Sequence, residues 1–298
     1  MEQLKILTLF LTTSNKGNLV NAMLISIGMI TFNNPKEEIF KCLNSIRYQT
    51  YSNEKIEIII RNQGLSETIN YIKEYLSQHK NIKITVYQGE NIGFGRGHND
   101  IFSKISNESS AYLCLNPDGV LHNETIEKLV NRAIKNDWNG IFEAIQEPIM
   151  HPKKYNPNTG NTEWCSGACL LIPNDIYKKI SGFDEDFFLY CEDVDLSWRV
   201  KSHGYQCITC PDALFFHYAV DRKSREIEIW RSALLLAHKW RAEAFKTFAL
   251  NNLLSLVDIN KKDILENISK YSEHPLDDVY KANPNFKHGL TFSEKMWN

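Results

Sequence analysis

The chain has 298 residues, 43% hydrophobic and 23% charged, with 34 Lys+Arg against 36 Asp+Glu and a formal charge of −2. This ordinary globular mixture excludes a disordered chain, which needs low hydrophobicity and high net charge. It also excludes a general nucleic-acid binder, because no basic excess is present to neutralise phosphates.

Residues 1–22 form a leader with no assignable element. Its apolar stretch Ile6–Leu11 is short and lacks a small-residue cleavage site, and no run in the chain approaches the ~20 apolar residues of a membrane span. Leu24–Ile30 is a continuous apolar run ending at Thr31-Phe-Asn-Asn-Pro35, which reads as a buried strand and a turn. From Lys36 to Tyr48, Ile39, Phe40, Leu43 and Ile46 recur at helical spacing. Ile56–Ile60 is a second strand, Leu65–His79 a second helix and Ile82–Tyr87 a third strand. The glycine-rich Gly89–Asn99 leads into a short helix, and Tyr112–Leu115 is a fourth strand closed by Asn116-Pro-Asp-Gly119. This alternation predicts an α/β fold, a mostly parallel sheet with helices on both faces. Ligands of such sheets bind beyond the carboxyl ends of the strands. Thr31–Asn33, Arg61–Gly64 and Asn116–Asp118 all fall there.

Residues 122–137 read as helix, 146–162 as loop, Ala168–Ile172 as strand, Asp193–Ser202 as helix and Gln206–Thr209 as strand. From about residue 222 the pattern is helical to Ile268. The tail from Glu273, with Pro275 and Pro284, is expected to be loosely ordered. The seven cysteines are an odd number in a long chain, which suits buried free thiols in a reducing cytoplasm better than a disulfide scaffold. Cys207-Ile-Thr-Cys210 has no second pair at zinc-ribbon spacing, because Cys165 and Cys169 are one residue too far apart.

Several motifs carry chemistry. Gly93-Phe-Gly-Arg-Gly97 has the wrong spacing and position for a nicotinamide dinucleotide site. Its glycines imply a sharp turn or a close backbone approach, and Asn91 and Asn99 offer amides to a sugar or phosphate. Asn116-Pro-Asp118 serves equally as a β-turn and as a strand-end Asp for a divalent metal. Between Gly182 and Asp195 stand six carboxylates: Asp184, Glu185, Asp186, Glu192, Asp193 and Asp195. Phe188 and Tyr190 occupy positions where an EF-hand needs oxygen ligands, so calcium is disfavoured. Asp195 has Arg199 four residues on as a helical partner. Asp193 has no such partner and is the candidate general base. His217 follows Leu214-Phe-Phe216; a lone His is structural unless other groups join it.

Taken in order, these stretches resemble the family 2 glycosyltransferases, rhamnosyltransferase-like branch, over roughly residues 25–220. Ile27–Pro35 resembles the opening strand and loop. Cys42–Tyr51 carries the S-x-x-x-Q-T-Y ending of the first helix. Asn91–Asn99 is similar to N-x-G-F-x-x-G-x-N, and Leu115-Asn-Pro-Asp118 to the D-x-D element. Ser166–Ile172 resembles the acceptor-side strand, and Gly182–Arg199 is the most specific match. The resemblance implies a GT-A fold at 23–225, with a nucleotide-sugar half at about 23–120, an acceptor half at about 121–225 and a C-terminal helical segment and tail at 226–298.

The resemblance further implies inverting transfer of a sugar, rhamnose as first guess, from a nucleotide-diphosphate donor, dTDP- or UDP-linked. The acceptor would be a glycan or lipid-linked molecule in bacterial surface polysaccharide synthesis. Asp118 and His217 would hold Mn²⁺ or Mg²⁺ against the departing diphosphate, and Asp193, supported by Glu192, would take the acceptor proton. Thr31, Phe32, Asn33, Asn62, Asn91, Gly93, Phe94, Gly97, Asn99 and Asn116 would line the donor side, and Trp164 and Gly167 the acceptor or sugar side. Two departures stand out. Arg61-Asn62 replaces the acid that contacts the base, and Asn116 replaces the first acid of D-x-D. Arg61 motivates an alternative, a catalytically inert nucleotide- or glycan-binding protein on the same fold. Trp230, Arg231, Leu234, Leu235, His238, Lys239, Trp240 and Arg241 form either a helix covering the domain or joining a homodimer, or a basic amphipathic face at the inner surface of the membrane.

Overall fold

The structure, a computed structural model, describes residues 23–217 and 225–297. The leader at 1–22 and the start of the stretch read as helical from 222 lie outside the described residues. Eight strands form one sheet: β1 (Leu24–Thr31), β2 (Ile56–Asn62), β3 (Lys83–Gln88), β4 (Ser109–Leu115), β5 (Gly119–Leu121), β6 (Gly140–Glu147), β7 (Cys169–Pro173) and β8 (Gln206–His217). Their order is β3-β2-β1-β4-β7-β6-β8-β5. The first four strands in the order are parallel, as expected from the alternation. Beyond β4 the sheet is mixed, because β7 runs antiparallel to both β4 and β6, and β5 antiparallel to β8.

Six helices flank the sheet: α1 (Lys36–Arg47), α2 (Glu67–Gln78), α3 (Phe94–Phe102), α4 (Thr125–Lys135), α5 (Asn174–Lys179) and α6 (Glu192–Ser202). α1, α2 and α4 cover one face, where Ile39, Leu43, Ile72, Leu129 and Val130 meet Ile25, Ile27, Met29, Leu113 and Leu115 of the strands. α3, α5 and α6 cover the other, where Ile101, Tyr177, Leu196 and Val200 meet Tyr112, Cys114, Leu170 and Ile172. Burial on both faces explains why the strands read as continuous apolar runs. α1 starts where Pro35 sets the entry angle and its carbonyl accepts from Glu38 and Ile39; Glu37 and Glu38 then sit in the first turn and Arg47 in the last, complementing the dipole.

β5, β6 and α5 are additional to the elements read from the sequence, and β8 runs eight residues further than Thr209. Two polar residues inside β6, Glu143 and Gln146, obscure its apolar run although both are buried. The β6–β8 register shifts between Ala144 and Ile145, which are paired with Cys210 and Leu214, so the segment around Pro211 bulges and the strand continues.

Four further helices follow: α7 (Glu226–Lys239), α8 (Glu243–Leu254), α9 (Lys261–Ile268) and α10 (Leu276–Ala282). They build a second core in which Leu234, Leu236, Trp240, Phe245 and Leu250 pack with Phe187, Val194 and Trp198. The tail from Glu273 is ordered, contrary to expectation. Ala282 and Phe292 are buried, Lys154 N–H donates to the Glu294 carbonyl at 2.8 Å, and Met296 N–H to the Pro152 carbonyl at 2.7 Å. The amphipathic stretch is also turned inward: Leu234, Leu235, His238, Lys239 and Trp240 are all buried, the arrangement of a covering helix. Among the described residues no helix is long and apolar enough to cross a membrane. All seven cysteines are buried free thiols, and Cys207 and Cys210 enter cores on opposite sheet faces.

Candidate active site

The carboxyl end of β4 and the end of β8 meet at one point. Gly119 pairs with His217 across β5 and β8, and this brings His217 Nε2 to 3.1 Å from Asp118 Oδ1. His217 Nδ1 lies 3.0 Å from Gln146 Oε1 at the end of β6. An Nδ1–H donated to that carbonyl leaves Nε2 with its lone pair. The Asn116 amide nitrogen, 3.4 Å from Nε2, fits the same tautomer as a donor. Two lone-pair atoms facing each other at this distance suit a shared cation, since an octahedral ion with arms of about 2.1 Å has ligands roughly 3 Å apart. Asp118 and His217 are both partly exposed, so a ligand could complete the shell.

A short segment before β7 joins this pair to the acidic helix. Ser166 Oγ accepts from Gln146 Nε2 at 2.8 Å. Gly167 N–H donates to Asp193 Oδ2 at 3.0 Å. The Ala168 carbonyl accepts from Asn116 N–H at 2.8 Å. Three consecutive residues thus hold the partner of His217, the candidate base and the metal-motif loop. The segment is anchored from below by Glu143, whose Oε2 accepts from Ser166 N–H at 2.6 Å and whose Oε1 accepts from Thr209 Oγ1 at 2.5 Å and pairs with Lys153. Lys153 also donates to the Trp164 carbonyl at 2.7 Å. Glu143 and Lys153 are almost fully buried.

Asp193 sits in the first turn of α6, where Val194 N–H holds its Oδ1 at 2.9 Å. Burial raises its carboxyl, opposed by the Gly167 and Val194 amides. Glu192 is buried, and its Oε2 makes no hydrogen bond. Burial, reinforced by the neighbouring Asp193 charge, pushes its carboxyl up to about 8. The other four acids of the stretch are engaged by this chain's own side chains, Glu185 by the Asn99 amide at 3.2 Å. Asp184 and Asp186 pair with Lys239 at 2.8 and 2.5 Å. Asp195 pairs with Arg199 at 2.7 Å, as expected, and with His274 at 2.8 Å. Burial alone would raise the Asp195 carboxyl, but Arg199 and His274 outweigh it and hold it well below the carboxylate range. Asp184, Asp195 and His274 place ligating atoms close together, yet Lys239 and Arg199 already neutralise both acids.

The donor-side residues divide. Phe32 is about half exposed and Asn91 is exposed. Asn33 takes a left-handed φ of 57° and accepts from Leu65 N–H at 2.9 Å. Thr31 and Asn62 are fully buried; Thr31 Oγ1 donates to Asn62 Oδ1 at 2.9 Å, and the Asn62 amide donates to the Leu65 carbonyl and Gln88. These two shape the loop after β2 and offer no free atom. Asn99 is spent on the loop at 183–185: its Oδ1 accepts from Tyr177 and Phe183, and its amide donates to the Phe183 carbonyl. The close approach implied by the glycines is to protein. Gly93, at φ 89°, lies against the Phe188 carbonyl, and a Cβ on Gly97 would stand 2.6 Å from Ile30. Phe94 packs on His98 and Phe183. Trp164 is not a sugar platform: it is buried, and its indole N–H donates to the Thr291 carbonyl at 2.8 Å. Arg61 is buried as well. It bonds Asp100 at 2.9 Å, Gln63 Oε1 at 2.7 Å and the Glu90 carbonyl at 2.7 Å, so it fixes α3 to the sheet.

Gln146, Glu143 and Lys153 were not found from the sequence. The Asn139-Gly140 dipeptide at the head of Ile141-Phe-Glu-Ala-Ile145 was an available strand-boundary signal.

A sheet of this order, with an Asp–His pair and a helix-borne carboxylate gathered around one strand-end segment, defines a GT-A type glycosyltransferase fold. A mannosyltransferase from Pyrobaculum calidifontis, solved with GDP-Man and Mn²⁺, has the same fold, with a TM-score of 0.58 and 14% identity over 88% of this chain and 87% of that one. The family model for glycosyl transferase family 2 matches residues 26–197, more than half of the chain, and the chain belongs to that family. It is similar to the rhamnosyltransferase WbbL of Escherichia coli, at 27% identity over 53% of this chain and 59% of that protein. It is also similar to the N-acetylglucosaminyl-diphospho-decaprenol L-rhamnosyltransferase of Mycobacterium tuberculosis, at 32% identity over 25% of this chain and 24% of that protein. The matched stretches therefore span about a quarter and three-fifths of those relatives' lengths.

Proposed function

We propose that the chain is an inverting, metal-dependent glycosyltransferase that moves a sugar from a nucleotide-diphosphate donor to a glycan or lipid-linked acceptor. Residues 23–225 would form the catalytic unit, working at the cytoplasmic side of the membrane in surface polysaccharide synthesis. Rhamnose, carried on dTDP or UDP, is the first candidate donor, supported by the two rhamnosyltransferase relatives. The observation that carries the reading is the Ser166–Ala168 segment, which ties Asp193 to the Asp118–His217 pair.

Asp118 and His217 would hold Mn²⁺ or Mg²⁺, which when bound neutralises the diphosphate as it leaves. Gln146 orients His217 for that role. Asp193 accepts the acceptor hydroxyl proton at its carboxylate, with its charged form supported by two backbone N–H groups. Glu192, buried beside it, supports it as a neutral neighbour, since burial and the Asp193 charge push its carboxyl up to about 8. A base on the acceptor side and a pair able to hold a cation on the leaving-group side suit a direct displacement with inversion.

The test is calorimetry with dTDP-rhamnose and a panel of UDP-sugars, with and without Mn²⁺, followed by donor turnover. One donor should bind in a Mn²⁺-dependent way and be consumed by the wild type but not by Asp193→Asn. Failure of every nucleotide sugar to bind would overturn the reading.

A further inference from the structure

The loop that delivers Glu192 and Asp193 is shaped against its own preference. Tyr190 and Cys191 take left-handed φ values of 70° and 64° in succession, although neither is Gly. Such a corner persists only where surrounding structure over-determines it. One side is held by the sheet domain, where Phe94 N–H donates to the Phe188 carbonyl at 2.9 Å.

The other side is held from beyond residue 197, where the family match ends. Ser232 Oγ in α7 donates to the Leu189 carbonyl at 2.7 Å. Lys239, at the end of α7 and almost fully buried, pairs with both Asp184 and Asp186. Trp240 Nε1 donates to Asp195 Oδ1 at 2.9 Å, and His274 Nε2 lies 2.8 Å from the same oxygen. These contacts fall at Asp184, Asp186, Leu189 and Asp195, bracketing Asp193 on both sides.

We propose that the C-terminal helical segment is a clamp that sets the position of Asp193, with Lys239, Ser232 and Trp240 as its positioning residues. The consequence for turnover rests on the reading of Asp193 as the base. The geometric part stands without it. Lys239 neutralises two acids that would otherwise repel each other, and Ser232 satisfies the Leu189 carbonyl immediately before the left-handed corner. Trp240 fixes α6 by its Asp195, one half-turn past the base. A base displaced by about 1 Å loses on the order of 10²-fold in rate.

The experiment compares Ser232→Ala, Lys239→Met, Lys239→Arg and Trp240→Phe in the full chain. Hydrogen–deuterium exchange reads the loop, dTDP and UDP binding with Mn²⁺ reads the donor side, and turnover of the donor reads the base. Ser232→Ala and Lys239→Met should speed exchange at 187–193 while leaving the β1–β3 region, 24–88, unchanged. They should lower kcat roughly tenfold to 100-fold with donor KM and nucleotide binding kept, and Lys239→Arg should recover part of the loss. Unchanged exchange in the Ser232→Ala and Trp240→Phe variants overturns the clamp. Faster exchange with unchanged kcat overturns its role in positioning the base. A wild type that turns over no donor counts against the proposed function, while the exchange data still decide whether the clamp exists.

Discussion

Gly167 donates its backbone N–H to Asp193 Oδ2 at 3.0 Å, so the candidate base is held by the residue between the one that steadies Gln146 and the one that binds the Asn116 loop. A Cβ at Gly167 would stand 3.1 Å from Phe94 and 3.5 Å from Asp193, and the glycine permits this closeness. Asp193 and the Asp118–His217 pair are thereby tied to one three-residue segment, through two backbone contacts and the Ser166 hydroxyl.

Asp193→Asn should lower turnover by about 10²–10⁴-fold, the usual worth of a positioned general base, while nucleotide binding persists. The amide keeps the shape and one acceptor oxygen but takes no proton. Single-turnover donor consumption checks the rate, and calorimetry with UDP or dTDP checks binding.

Gln146→Leu should weaken Mn²⁺-dependent nucleotide binding by about 10–100-fold without touching the metal or the nucleotide. Loss of the Gln146 acceptor releases the Nδ1–H tautomer that points the Nε2 lone pair at Asp118. His217→Ala should be at least as severe. Equal Mn²⁺ affinity in wild type and both variants would remove His217 from the ligand set.

The contribution of Glu192 to stability should fall as pH rises from about 4.5 towards 8, with Asp193, whose carboxyl burial also raises, acting in the same direction. The folded pKa of Glu192, about 8, lies above its ordinary value of 4.5, so the folded state binds the extra proton in that window. The contribution is therefore full below 4.5 and lost as Glu192 is forced to ionise without a hydrogen bond to Oε2. Glu192→Gln should flatten this limb and raise the melting temperature at pH 8. Asp195 acts with the opposite sign: its lowered pKa gives stability that is present above its ordinary value of 3.8 and lost in acid. Thermal melts from pH 3 to pH 9 separate the two.

Lys153→Met should destabilise the fold by about 3–5 kcal/mol, because it leaves Glu143 charged and buried without its partner. Adding Glu143→Gln should recover part of the loss, since the amide still accepts from Ser166 N–H. Urea unfolding of both single variants and the double variant gives the coupling.

Trp164→Phe should cost about 1 kcal/mol through the lost bond to the Thr291 carbonyl, and leave donor and acceptor preference unchanged. A changed acceptor preference would restore Trp164 to the sugar site.

The sequence by itself determined the first half of the fold and the family, because both rest on short-range signals. Leu24–Ile30, Ile56–Ile60 and the helical spacing of Ile39, Leu43 and Ile46 fix their elements locally. The ordered motifs from Ile27 to Arg199 point to the family without any contact being known. Tertiary structure decided which polar residues are free. Asn62, Asn99 and Trp164 looked available, and each is consumed by a partner between 3 and 127 positions away. Gln146 was read as the start of a loop and Glu143 fell in an unassigned stretch, yet both anchor the candidate site, because a buried polar residue is legible only once its hydrogen-bond partner is in place. The acidic stretch shows the same division. Its charge was visible from the start, but only the fold showed Lys239, Arg199 and His274 taking up Asp184, Asp186 and Asp195 and Asn99 reaching Glu185, which left Glu192 and Asp193 as the two buried candidates without a cationic partner.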